Sequence, residues 1–106
     1  MSDLVPFTML SAVAVLDSSL PGWTLLDVPA DQPRVFRCEV AFERPFLQAP
    51  LVHVGVSGFD IGNHDAARLR VSAVDIHAGG FTLRAETWLN TQVWRVDVSW
   101  LAVGSA

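Results

Sequence analysis

Two arginines and an indole are the residues whose types and spacing lend themselves to chemistry. Arg68 and Arg70 flank Leu69 in a segment where Leu69, Val71 and Ala73 share one parity, so both guanidiniums project from the opposite, polar side. Trp88 follows Phe81-Thr82-Leu83-Arg84-Ala85-Glu86, and its parity groups it with Thr82, Arg84 and Glu86 instead of with Phe81 and Leu83. A large aromatic on a wet face asks for a partner; the alternative is that the strand bends near Asn90-Thr91 and the ring caps the edge of the fold. A guanidinium beside an indole suits a sugar, because the fork donates to vicinal hydroxyls while the ring face packs on C–H groups. The competing fate of an exposed arginine is an ion pair, here with Glu86 or Asp75. Trp94 shares parity with Val96, Val98 and Trp100, which predicts a place at the core edge.

Other clusters carry weaker signals. Phe59-Asp60-Ile61-Gly62-Asn63-His64-Asp65 gathers acids and a histidine in what reads as a loop, a pattern open to a metal site or a general acid/base pair. Asp, Gly and Asn are equally what a turn requires, and His64 has no second histidine at helical or hairpin spacing; His53 lies among valines and His77 precedes Gly79-Gly80. No metal centre is expected. Ser57-Gly58 lacks a nucleophile elbow and no Gly-rich phosphate cradle is present, so neither catalysis nor a cofactor is expected. Cys38 is the only cysteine, which excludes an internal disulfide and a Cys-x-x-Cys pair.

Eleven acidic against seven basic residues give a net charge of -4, with the basic residues scattered along the chain, which argues against nucleic acid as a partner. The apolar run Leu4 to Leu16 is headed by Met1-Ser2-Asp3, an acid where a signal peptide has a basic region, and reads as mature sequence. At about 13 residues it is too short to span a bilayer, and no membrane insertion is expected.

Two-residue alternation positions these side chains. Phe36, Cys38, Val40 and Phe42 are expected inward, as are Phe81, Leu83 and Ala85, while Val52, Val54 and Val56 share a face of their strand. A first strand near Leu10 to Leu16 alternates less cleanly. Turn residues at Pro21-Gly22, Asp31-Gln32-Pro33, Arg44-Pro45, Ala49-Pro50, Gly62-Asn63, Gly79-Gly80 and Asn90-Thr91 separate six strands. A chain that is 51% hydrophobic cannot cover six strands with one flat sheet, so the expected fold is all-β, a six-stranded antiparallel β-sandwich forming a single domain over residues 1–106.

Phe42, Pro45-Phe46, Pro50, Val52, Phe59-Asp60, Arg70-Val71, Gly80-Phe81, Thr87-Trp88, Asn90-Thr91, Val93 and Ser99-Trp100 form an ordered set that resembles the H-type lectin domain. The resemblance runs from about Trp23 to Val103 and is strongest over Thr87 to Trp94 and Val98 to Trp100. It implies a non-catalytic, carbohydrate-binding sandwich that assembles into trimers or dimers of trimers and takes galactose or N-acetylgalactosamine from glycans of cell surfaces or glycoproteins. Carried over by motif, it assigns sugar contacts to Arg70, Trp88 and Trp94, with Asp31 as an acidic partner from a loosely matching loop. Leu89 stands where the family pattern has a histidine, which replaces a hydrogen-bond donor by an apolar surface. With a single cysteine, an oligomer would be held by apolar burial and hydrogen bonds. A structural or adhesion module of a fibre or appendage, keeping the fold but contacting protein, is the rival from another class, and a hydrolase or metalloprotein built on Asp60 to Asp65 is a third.

Overall fold

The structure, a computed structural model, describes residues 6–27, 32–62 and 66–106. Six strands follow in chain order: β1 (Phe7–Asp17), β2 (Arg34–Ala41), β3 (Leu51–Gly62), β4 (Arg70–His77), β5 (Gly80–Thr87) and β6 (Gln92–Ser105). They form two antiparallel three-stranded sheets, ordered β1-β6-β3 and β2-β5-β4, and the apolar faces of the two meet in a sandwich, as the alternation predicts. No helix among the described residues is long and apolar enough to cross a membrane.

The central strands β5 and β6 supply most of the core, because each is flanked on both edges. Phe81, Leu83 and Ala85 of β5 meet Val93, Val96, Val98 and Ala102 of β6, all essentially inaccessible. Phe81 packs on both Phe42 and Trp100 at centroid separations of 5.8 and 5.4 Å, the latter edge to face, and the two partners lie 5.9 Å from each other. Cys38 points inward from β2 but stays half-buried, and burial, reinforced by the Glu39 carboxylate, pushes its thiol above the usual value.

Three departures from simple alternation have physical causes. β3 runs through Phe59–Gly62, a stretch whose composition reads as a loop, and it does so with irregularities in its pairing to β6 at Val56/Gly58 and Asp60/Ile61. β4 begins only at Arg70, which leaves Arg68 and Leu69 in the preceding loop instead of in a strand. β1 alternates poorly because both of its faces are apolar: Leu10, Ala14 and Leu16 pack inward, while Phe7, Met9, Val13 and Val15 stand exposed on the other side.

Gly80 opens β5 opposite Ala41. A Cβ there would lie 2.2 Å from the Val40 carbonyl oxygen, a backbone atom that cannot swing aside. Gly80→Ala is therefore expected to lower stability by about 1–3 kcal/mol through forced separation of β2 and β5. Urea unfolding checks this, and an unchanged midpoint would mean that the two strands separate freely at this end.

Candidate functional site

The outer face of the β2-β5-β4 sheet holds the candidate site at the end where β5 runs into the turn before β6. Pairing places Arg70 opposite Glu86. Trp88 lies two residues further on, just beyond the strand, and is half-buried. The Arg70 guanidinium carbon stands 5.5 Å from the Trp88 ring centroid, within cation–π range. Its Nη1 also lies 3.5 Å from Glu86 Oε1, at the long limit for an ion pair, while Arg84 Nη1 approaches the same oxygen more closely, at 3.1 Å. The two fates open to Arg70, stacking on an aromatic and pairing with Glu86, thus occur together. Arg70 keeps 66% of its side chain exposed against 11% for Glu86, so its remaining N–H groups face solvent.

The turn after Trp88 is held from below. Leu89 adopts a left-handed φ of 57°, a costly conformation for a leucine, and exposes 54% of its surface. Arg34 Nη2 donates to the carbonyl oxygens of Leu89 and Thr91 at 2.7 and 2.9 Å, and Nη1 donates to those of Asp27 and Leu25. One buried guanidinium therefore ties the turn to residues 25–27. Burial lowers its pKa, the Asp27 carboxylate acting in the opposite direction, and Nε has no partner among the described residues. Thr87 Oγ1 donates to the Arg68 carbonyl and Thr91 Oγ1 to that of Ala66, while Arg68 Nη1 reaches Asn90 Oδ1 at 3.3 Å. Arg34 escaped the reading of candidate residues, although a signal was present: it shares parity with Phe36, Cys38 and Val40, and an arginine on a core-facing parity must satisfy its donors internally.

The remaining candidates are placed differently. Trp94 is 40% exposed instead of lying at the core edge, because the pairing slips there: Asp60 lies opposite Arg95 but Ile61 lies opposite Val93, which leaves Trp94 without a partner on β3. The ring lies over Gly62, where a Cβ would come 2.9 Å from Trp94 Cζ3, and so belongs to the sheet opposite the one carrying Arg70. Arg70, Trp88 and Leu89 gather at one turn, and Trp94 is not in contact with Trp88 or Arg70 through any ring or cation–π interaction among the described residues. Asp31, His64 and Asp65 lie outside the described residues. Asp60 belongs to β3, and no three His, Cys, Asp or Glu side chains among the described residues are grouped as metal ligands would be.

Comparison with known proteins bears on this arrangement. The model of the H-type lectin domain family matches residues 37–103. Discoidin II of Dictyostelium discoideum superposes with a TM-score of 0.82 at 21% identity for the native recombinant protein, over the whole of this chain and 40% of that one. The wild-type discoidin II structure gives 0.81 at 20% identity, again over 40% of its length. A protein of Fuscovulum blasticum named "ATP synthase subunits region ORF 7" is 38% identical over 73 residues, which are 69% of this chain and 64% of that protein. The family match spans β3 to β5 entire and takes in Arg70, Glu86, Trp88 and Trp94. With a sandwich of the same shape beneath it, this chain belongs to the H-type lectin domain family and is a carbohydrate-binding module.

Proposed function

We propose that the chain binds galactose-type sugars, galactose or N-acetylgalactosamine, without transforming them, at the turn where Arg70 stacks on Trp88. The observation that carries this reading is the 5.5 Å approach of an exposed guanidinium to a half-buried indole, with Glu86 and Arg84 fixing its orientation. Arg70 donates to vicinal hydroxyls, the Trp88 ring receives the apolar face of the sugar, and Leu89 adds an exposed apolar edge. Asp31 is the acidic partner in this reading. It is taken from the family pattern and stands four residues after Asp27, whose carbonyl shares the Arg34 guanidinium with that of Leu89. Trp94, exposed on the other sheet, meets a sugar in this reading only from a neighbouring copy and not from within the same chain.

Such a site is open to water, and a monosaccharide exchanges water bonds for protein bonds at little net gain, so one site binds near the millimolar end of the scale. Repetition must supply avidity, worth roughly two to four orders of magnitude on a rigid assembly. The outer face of the β1-β6-β3 sheet supports self-association, into a trimer or dimer of trimers. There Met9, Val103 and Leu51 form one cross-strand row, Leu101 lies in the next, and Phe7, Val13 and Val15 extend the apolar surface along β1. A glycan array on the purified protein, paired with equilibrium sedimentation, tests both parts. Galactose-terminated hits from an oligomer are expected, and Val13→Glu is expected to leave a monomer with at least tenfold weaker array signal. A wild-type monomer would remove the avidity argument, and an array without galactoside hits would favour the fibre or appendage module, for which the exposed Leu89 and Trp94 offer apolar protein contacts.

A further inference from the structure

The outer face of the β2-β5-β4 sheet is more cationic than the composition suggests. All seven basic residues of this acidic chain are arginines, and although they are scattered in sequence, antiparallel pairing sets Arg37 of β2 directly opposite Arg84 of β5. Ser72 of β4 flanks Arg84 on its other side, and the adjacent row reads Val35, Glu86, Arg70. Three arginines thus share a face with two glutamates, Glu86 and Glu39. Glu39 accepts a hydrogen bond from Thr82 Oγ1. Glu86 lies beneath its partners: 11% of its side chain is exposed, against 25% for Arg84 and 66% for Arg70, so the guanidiniums meet solvent first. Arg37 is exposed and, among the described residues, has no hydrogen-bond or ion-pair partner.

Like charges directly opposite on an antiparallel pair repel, and an anion between them converts that repulsion into charge-assisted hydrogen bonds. Two residues of β-strand separate the Arg37–Arg84 row from the Arg70 row, about 7 Å along the sheet, close to the length of one sugar unit. We infer that this face takes an acidic oligosaccharide: a galactose-type ring sits at Arg70 and Trp88, and the adjoining sugar brings a carboxylate or sulfate onto Arg84 and Arg37. The inference rests on the sugar reading of Arg70 and Trp88 and adds the ligand class. Guanidinium forks match the paired oxygens of either anion.

The test compares, on the full chain, a neutral galactose-containing disaccharide with its uronate and sulfated counterparts by titration calorimetry. In about 0.05 M salt one or both acidic forms are expected to bind roughly fivefold tighter than the neutral one, and the advantage is expected to vanish in about 0.5 M salt. Comparing the uronate and sulfated arms identifies the anion. Arg37→Gln is expected to abolish the advantage while neutral-disaccharide affinity stays unchanged. Equal affinity for all three disaccharides overturns the acidic ligand and leaves the sugar site standing, whereas no binding of any of them overturns the sugar site itself. Binding of single-stranded DNA as tight as that of the acidic disaccharides would also overturn the inference, by showing that charge alone is read.

Discussion

Trp88→Ala and Arg70→Ala are each expected to weaken galactoside binding at least tenfold, which from a millimolar site means loss of measurable signal, while the fold remains intact. A hydrogen bond involving a charged group contributes about 1.5–3 kcal/mol, and the aromatic wall adds the burial of the sugar's apolar face. The fold should survive because neither side chain is part of the core. Removing Arg70 does not orphan Glu86, since Arg84 still lies 3.1 Å from its carboxylate. Arg70→Lys sharpens the experiment: it keeps the charge but loses the planar fork and its stacking, so affinity should fall nearly as far as with alanine. Trp88→Phe should retain part of the binding because a ring face remains. Calorimetry with a galactoside, alongside circular dichroism, reads both quantities. Wild-type affinity in both alanine variants would assign the sugar to another place.

Phe81→Ala has the largest expected effect on stability, a loss of about 3–5 kcal/mol. Phe81 is fully buried at the start of a central strand and packs on both Phe42 and Trp100, which also touch each other, so its removal leaves a cavity beside two rings. Small domains have only about 5–15 kcal/mol of net stability, and a loss of this size would lower the thermal midpoint by about 15 °C or more. Since self-association would also shift the midpoint, wild type and variant must be compared at one protein concentration. A loss below about 1 kcal/mol would mean that Phe42 and Trp100 collapse into the vacated space, and that the two layers are held mainly elsewhere.

The legible part of the fold follows from the two-residue period, which is local. Phe81, Leu83 and Ala85 could be set apart from Thr82, Arg84 and Glu86 by counting, and all three are buried against β6. The same count put Trp88 on the outer side with Glu86, where it meets Arg70. Even the blurred alternation of Leu10 to Leu16 carried information, because a strand apolar on both faces asks for cover on both. Counting failed where the backbone slips by a residue. Trp94 shares parity with Val96 and Val98, yet the irregular pairing at Asp60/Ile61 turns it outward over Gly62. Phe59–Gly62 misled for the related reason that Asp and Gly serve turns and bulges alike.

By itself the sequence determined which residues are apolar at alternate positions and where turns interrupt them, and hence six strands with two-sided faces, since each of these depends on neighbours along the chain. Only the tertiary structure decided which strands lie side by side and in what register. That brought Arg70 to Trp88, set Arg37 against Arg84, and enclosed Arg34 among four carbonyl groups, two of them, at Leu89 and Thr91, more than fifty residues away. These juxtapositions are non-local: a shift of one residue in β2 or β4 leaves every local preference nearly intact but sends each of these side chains to the opposite face.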